Sequence, residues 1–411
     1  MMDFIYNFVF YYPLLMGFIW MFGSILFRVY RDKYLIKEPE IQENPMVSVL
    51  VPCHNEEECI EDTIRYLQLQ TYRNFEIIAI DDASHDRTGE ILRSLQKEFS
   101  SLRVITLKSN QGKGTGLTMA AMASRGEFLV GIDADALLDP DAVKWMLWHF
   151  VNFPRVGAVT GNPKVRNRTT LLAKIQVGEY STIIGMIKRT QRILGKIYTV
   201  SGVVAAFRKK ALLDVGWWSN NMVTEDIDVS WKLQMDKWDI RYEARALCWI
   251  LVPETLNGLF KQRLRWSQGG AEVLIKYFRE LISWKNRRIW PIYLEYAASV
   301  LWCYMLLLTV ILWILHLLNV PLPQDLVVRN VLSPGWTGVM LAGVCMLQLT
   351  VGIMFDARYD RTLLKVIPWM IWYPAIYWIV TCITTIIAFP KALLKKKNTL
   401  AVWESPDRGL S

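Results

Sequence analysis

The chain has 411 residues, 53% of them hydrophobic, and its 47 Lys and Arg against 38 Asp and Glu leave a formal charge of +9. That length is enough to bury a large core, and there is no internal repeat or low-complexity segment. The positive charge suits an anionic membrane surface and anionic substrates, whereas no nucleic-acid-binding motif accompanies it, so nucleic acid is not an expected partner.

Phe4 to Phe27 carries no charge and exceeds the roughly 18 residues that mark a membrane-spanning candidate. Arg28, Arg31 and Lys33 follow directly, so positive-inside reasoning places the next domain in the cytoplasm. The segment has no basic n-region and no clear small-residue cleavage site, so a cleaved signal peptide is not expected.

Val47 to Val51 is a β-branched run that ends at Pro52 and opens into Cys53-His54-Asn55-Glu56-Glu57-Glu58, with the helical stretch Ile60 to Ile64 next. Glu56 can meet a nucleoside in such a strand-to-helix loop; equally, acidic residues just before a helix complement its dipole. A second unit repeats the pattern, with Phe75 to Ile80 as strand, Asp81-Asp82-Ala83-Ser84 as its polar end and Thr88 to Phe99 as helix. Asp82 can accept from a nucleobase imide or a ribose hydroxyl, or one of the pair can cap the helix. Asn110 to Gly116 then sets Lys113 among three glycines before another helix. It resembles a phosphate cradle without the P-loop spacing, and a solvated turn is the alternative.

Glu127 to Ile132 is short and mostly apolar, as expected of a buried parallel strand whose carboxyl end faces a ligand crevice. It runs into Asp133-Ala134-Asp135. Two carboxylates one residue apart can hold a hard, oxygen-seeking cation while leaving positions for phosphate oxygens and water. In isolation the pair reads as two aspartates in a surface turn; its neighbours favour the site. Thr224-Glu225-Asp226 precedes the helical stretch Ile227 to Trp231 and offers Asp226 as a general base, with Glu225 beside it. The alternative is a helix start with Thr224 as N-cap and acids in the first turn. Gln262-Arg263-Leu264-Arg265-Trp266 lies on a basic, aromatic, amphipathic stretch. Arg265 can bind a diphosphate bidentately and Trp266 can stack on a sugar ring, unless the pentapeptide is a membrane-interface belt.

Trp290 to Leu318 carries only Glu295 and His316, and Gly335 to Phe355 and Val366 to Phe389 are uncharged, so further membrane segments are expected. Four spans from an external N-terminus put the C-terminus outside, yet Lys391 and Lys395-Lys396-Lys397 favour the inside. One way out is a final segment broken by Pro368 and Pro374 into a re-entrant or interfacial element, which leaves the span count and the C-terminal side open. The six cysteines, Cys303, Cys345 and Cys382 among them in membrane segments, have neither zinc spacing nor a disulfide framework. The expected division is an N-terminal transmembrane segment over 1–30, a cytoplasmic α/β catalytic domain over 45–252, an interfacial amphipathic segment over 253–289, a C-terminal transmembrane region over 290–390 and a basic tail over 391–411.

One reaction could use all four polar signatures: attack of a sugar hydroxyl on the anomeric carbon of a sugar attached to a nucleoside diphosphate. In this order they resemble the processive family 2 glycosyltransferases, which include cellulose, chitin and hyaluronan synthases. Within that group the chain resembles the bacterial poly-β-1,6-N-acetylglucosamine synthases of biofilm polysaccharide, through Gly157 to Pro163, Lys174 to Tyr180, Trp249 to Thr255 and Ser405 to Gly409. The resemblance implies a GT-A catalytic fold inserted between transmembrane helices, UDP-N-acetylglucosamine as donor, Mg²⁺ (or Mn²⁺), inversion at the anomeric carbon and a growing polysaccharide moved through the membrane. It assigns Asp82 to the nucleoside, Asp133 and Asp135 to metal and diphosphate, Asp226 to the general base, and Gln262, Arg265 and Trp266 to acceptor and diphosphate. Glu56 and Lys113 complete the nucleotide-sugar set on the residue reading.

The resemblance also implies a bacterial inner-membrane location and a small membrane protein subunit. Cyclic di-GMP control occurs in some members, and here it would come through that subunit because no separate domain for it is visible. The chain departs from relatives in having one span before the catalytic domain and in carrying Ala83 where glycine often follows the aspartate pair. Other readings are a synthase of another polysaccharide, a single-sugar transferase to a lipid carrier, or a non-catalytic membrane scaffold. The scaffold predicts lost carboxylates, and Asp133, Asp135 and Asp226 are all present.

Overall fold

The computed structural model describes residues 2–32, 39, 41–329, 336–396 and 399–401; Lys33, Gly335, Lys397 and Ser405 to Gly409 lie outside them. Eight strands build one mixed sheet: β1 (Val47–Cys53), β2 (Phe75–Asp81), β3 (Leu102–Thr106), β4 (Phe128–Ile132), β5 (Leu137–Leu138), β6 (Val156–Val165), β7 (Val204–Arg208) and β8 (Asp239–Ile250). Their spatial order is β3-β2-β1-β4-β7-β6-β8-β5. The first four are parallel, with Leu50 of β1 opposite both Ile78 of β2 and Gly131 of β4. Every residue of β1 and β4 is buried, which is why they read as continuous apolar runs rather than alternating ones. β7 then pairs antiparallel with both β4 and β6, so the sheet changes direction beside the strand that carries Asp133.

Ahead of the sheet runs α1 (Met2–Phe27). Helices α2 (Ile60–Leu67), α3 (Thr88–Glu98) and α4 (Lys113–Ala123) connect the parallel strands, and α5 (Ala142–Asn152) follows β5. A continuous helical rod comes next, built from α6 (Leu171–Glu179), a π-helical segment at Tyr180–Met186 and α7 (Ile187–Leu194). It is buried between the sheet and the apolar helices: Thr190 donates to the carbonyl of Trp20 in α1, and Arg189 is 1% exposed. After α8 (Lys209–Asp214), α9 (Glu225–Met235) and β8, the chain forms α10 (Leu256–Leu281), α11 (Trp290–Leu317) and α12 (Trp336–Asp356). Arg361–Trp372 is a 3₁₀ segment and Pro374–Trp378 a π segment before α13 (Ile379–Leu394).

Four helices are long and apolar enough to cross a bilayer, within Asp3–Arg31, Trp290–Leu317, Gly338–Asp356 and Ile376–Leu394, and the chain is a membrane protein. α12 is fastened to the sheet at its end: Asp356 accepts from Lys164 of β6 and from Arg189 of α7, with all three side chains at most 1% exposed. Both ends of the following segment also meet the catalytic unit. Asp360 binds Arg168 at 2.7 Å, while Lys395 donates to the Asn221 carbonyl at 2.6 Å and to Glu272 at 2.9 Å. The helical run from Arg361 carries Pro368 inside its 3₁₀ segment and changes to the π segment at Pro374. The run thus leaves the catalytic unit at Asp360 and rejoins it at Lys395. All six cysteines are buried and outside any disulfide, as packing residues are.

Candidate active site

The carboxyl ends of β1, β2 and β4 converge at one sheet edge, which is where open α/β sheets bind ligands. At the end of β1, His54 Nδ1 lies 2.8 Å from the Asp82 carbonyl, while its Nε2 faces the amide nitrogens of Asn55 and Asn110 at 3.3 and 3.2 Å. Two donors aimed at Nε2 assign the proton to Nδ1. His54 therefore ties the β1, β2 and Asn110 loops together. The Glu56 backbone N–H donates to Thr88 Oγ1 at 2.7 Å, and its side chain is buried, which places it against the start of α3. The carboxylate of Asp82 accepts the backbone N–H groups of Gln111 and Gly112, each at 2.8 Å. It orders the glycine-rich turn and keeps lone pairs for a further donor. Its neighbour Ala83 sits at φ +55°, the left-handed conformation that glycine adopts without penalty. The alanine thus keeps the turn at a cost in strain.

Lys113 opens α4 and joins three of the elements. Its Nζ donates to Asp133 Oδ1 at 2.5 Å and to the Gly202 carbonyl at 3.2 Å, and lies 3.4 Å from Glu225 Oε1. Burial opposes its charge, but the carboxylates of Asp133 and Glu225 outweigh that and hold its pKa above the usual lysine value. The turn before it requires Gly112, at φ +82°, where a Cβ would lie 2.1 Å from the carbonyl oxygen of Ala401.

Asp226 lies in the first turn of α9, half-buried. Its Oδ2 accepts the Gly202 N–H at 3.1 Å and its Oδ1 the Ile227 N–H at 2.9 Å. Burial and the neighbouring Glu225 push its pKa up to about 6, against the pull of Lys113 and Arg265. A base poised near neutral pH, with its carboxylate partly open, fits proton abstraction. Thr224 occupies the N-cap but makes no side-chain cap bond; its Oγ1 is buried without a hydrogen-bond partner among the described residues. It packs on α10, where a Cβ on Gly269 would lie 1.9 Å from that oxygen.

α10 separates the roles within Gln262 to Trp266. Leu259, Arg263, Gly270, Val273, Tyr277 and Leu281 form its buried stripe at helical spacing. Arg263 is thereby turned inward, paired bidentately with Glu179 at 2.8 and 2.7 Å and stacked 4.3 Å from the Trp266 ring. Arg265, two residues on, faces outward, is exposed and makes no ion pair among the described residues. Gln262 Oε1 is buried without a hydrogen-bond partner among the described residues. An orphaned acceptor beside a half-buried Trp266 suits a hydroxyl-rich ligand.

Sequence reasoning passed over Ser201 and Gly202. The Gly202 backbone serves Lys113 and Asp226 at once, while Ser201 N–H donates to Thr160 Oγ1 at 2.8 Å. The same Thr160 oxygen takes a 3.0 Å contact from Lys188 Nζ, an amine that burial pushes down to about 7 against the opposing influence of Asp226. The signal available was the Ser-Gly step immediately before a strand. Glu179, the buried partner of Arg263, carried no signal of its own.

Asp133 and Asp135 are half-buried on the turn after β4, and their hard oxygen donors suit Mg²⁺ or Mn²⁺. Among the described residues no third His, Cys, Asp or Glu completes a cluster with them. The donor set fits an ion that takes its remaining ligands from substrate phosphates and water.

A family model described as "Glycosyltransferase like family 2" matches residues 45–269. Poly-β-1,6-N-acetyl-D-glucosamine synthase from Staphylococcus epidermidis is 39% identical over 414 residues, covering 98% of each chain. The protein of that name from Staphylococcus aureus strain COL is 39% identical over 408 residues, again covering 98% of each. Among solved structures, a mannosyltransferase from Pyrobaculum calidifontis, in complex with GDP-Man and Mn²⁺, aligns with a TM-score of 0.62 at 20% identity, over 96% of this chain and 98% of its own. The fold is therefore GT-A-like, a curled mixed sheet joined to apolar helices, and the chain belongs to glycosyltransferase family 2. It is an enzyme, a glycosyltransferase.

Proposed function

We propose that this chain polymerises N-acetylglucosamine from UDP-N-acetylglucosamine into a β-1,6-linked polysaccharide, as a processive, inverting transferase of the bacterial inner membrane with its catalytic domain in the cytoplasm. The observation that carries the reading is the convergence of Asp133, Glu225 and Asp226 on Lys113, in a chain whose relatives of that name match end to end.

In this mechanism Asp226 accepts the proton of the acceptor 6-hydroxyl as its oxygen bonds to the anomeric carbon. The bond from that carbon to the diphosphate breaks, and its electron pair leaves with UDP. A single displacement inverts the anomeric centre. Lys113 and the outward-facing Arg265 receive the diphosphate charge, and Asp82 and Glu56 face the nucleoside. Gln262 and Trp266 hold the acceptor sugar. Asp133 and Asp135 would hold a divalent cation, which supplies charge stabilisation to the leaving diphosphate. The proposal includes a small membrane subunit, with any cyclic di-GMP control acting through it, on the strength of the family resemblance.

The test is incorporation of radiolabelled sugar by membranes containing the protein, from UDP-N-acetylglucosamine, UDP-glucose and UDP-glucuronate in turn. Incorporation from the first alone, abolished by EDTA and restored by Mg²⁺ or Mn²⁺, is the expected result. Polymer from another donor would reassign the substrate, and metal-independent transfer would remove the role given to Asp133 and Asp135.

A further inference from the structure

Lys188 is a buried amine that lies outside the four signatures. It sits on α7, 6% exposed, and its Nζ donates to Thr160 Oγ1 at 3.0 Å. Among the described residues it forms no ion pair. An ammonium taken out of water without a carboxylate beside it is costly, so packing alone would be served better by an apolar side chain of the same length. Burial pushes this amine down to about 7, and the charge that opposes the shift is that of Asp226.

Thr160 ties the lysine to the base. Wholly buried in β6, it accepts the backbone N–H of Ser201 at 2.8 Å through the same oxygen, so both lone pairs of its hydroxyl are taken. Ser201 and Gly202 form the turn ahead of β7. There the Gly202 N–H donates to Asp226 Oδ2 at 3.1 Å, and the Gly202 carbonyl accepts from Lys113 at 3.2 Å. The approach is close, because a Cβ on Gly202 would lie 3.0 Å from Asp226 Oδ2. A small shift of this turn therefore moves the donor that aims the carboxylate. The turn is also held by Ser230 Oγ, which accepts the Val200 N–H at 2.8 Å, but Ser230 belongs to α9, the helix of Asp226 itself. Thr160 and Lys188 fix the turn to the sheet and to α7.

We propose that Lys188 is a positioning residue of the transfer site: through Thr160 Oγ1 it holds the Ser201–Gly202 turn, and through the Gly202 N–H it orients the carboxylate of Asp226 towards the acceptor. The proposal rests on the reading of Asp226 as the base. It also gives the membrane helices a hold on that base, since the neighbours of Lys188 on α7 are committed to them, Arg189 to Asp356 of α12 and Thr190 to the Trp20 carbonyl of α1.

The experiment measures transfer by the full chain in membranes, with whichever of UDP-N-acetylglucosamine, UDP-glucose and UDP-glucuronate the wild type uses, and records Tm. Lys188→Met keeps the length and removes the donors. Its kcat should fall about ten-fold or more, with KM for the donor within about two-fold of wild type and Tm not lowered. Thr160→Val should lose rate to a similar extent, and the double variant should be no slower than the slower single, because both act through one link. Lys188→Gln, which returns a donor to Thr160, should recover most of the rate. If Lys188→Met does not fold, the rates of Thr160→Val and Lys188→Gln decide. Unchanged kcat in Lys188→Met beside an inactive Asp226→Asn, additive losses in the double variant, or no recovery in Lys188→Gln would each overturn the proposal alone. A wild type silent with all three donors, or Asp226→Asn at the wild-type rate, would instead overturn the reading beneath it.

Discussion

Lys113 and Asp133 meet at 2.5 Å, Nζ to Oδ1, and the same ammonium lies 3.4 Å from Glu225. One cation thus holds the glycine-rich turn, the Asp133–Asp135 pair and the start of α9 in register. Lys113→Ala leaves two carboxylates facing each other without their counter-charge. Transfer should fall by about 10²-fold or more, with a changed metal requirement, and Lys113→Arg should not restore it because a planar fork replaces a compact ammonium. Metal titrations of purified variants check this.

Asp226, the proposed base, should set the acid limb of activity. Its folded value of about 6 lies above the ordinary 3.8, so the native state holds the proton more tightly than the unfolded chain does. Activity should fall about ten-fold per pH unit below that value. The sign for stability is opposite to that of a salt-bridged carboxylate: the contribution is fully present below pH 3.8 and is lost as pH rises through 6. Asp226→Asn should accordingly be inactive yet about 1–2 kcal/mol more stable at pH 7.5, after discounting for its partial exposure. Thermal unfolding at two pH values separates the effects.

Arg263 and Arg265 should fail differently. Removing Arg263 strands Glu179 in the core, a loss of about 3–5 kcal/mol, visible as lowered Tm with or without substrate. Arg265→Ala should leave stability within about 0.5 kcal/mol of wild type, with Tm nearly unchanged, and act on turnover. Equal Tm losses in both variants would contradict the assignment of Arg265 to the diphosphate.

Ala83 offers a test of strain. Its φ of +55° penalises an L-residue, so Ala83→Gly should stabilise the protein by about 1 kcal/mol. Denaturation midpoints measure the change.

Legibility of the sequence followed the direction of burial. β1, β2 and β4 are enclosed on both faces, so their apolar runs and polar ends stood out, and with them Asp82, Asp133 and Asp135. β6 did not stand out as a strand. Thr160, Asn162 and Lys164 interrupt it, all buried, and their partners Ser201, Ala244 and Asp356 lie far along the chain. A polar residue whose burial depends on a distant partner gives no periodic signal. The division between Arg263 and Arg265 was available from the stripe of α10, but the buried acid that makes Arg263 structural sits 84 residues away. The return of the C-terminal run to the catalytic unit rests on Arg168–Asp360 and Lys395–Glu272, pairs that hydropathy cannot contain.

The central claim is polymerisation of N-acetylglucosamine through β-1,6 linkages by this one chain's carboxylates. The most direct measurement is size and linkage analysis of the product made from UDP-N-acetylglucosamine by the protein in membranes, with Asp226→Asn in parallel. Long chains cut by a β-1,6-specific hexosaminidase, and none from Asp226→Asn, are expected. A single-sugar product, another linkage, or polymer at the wild-type rate from Asp226→Asn would contradict it.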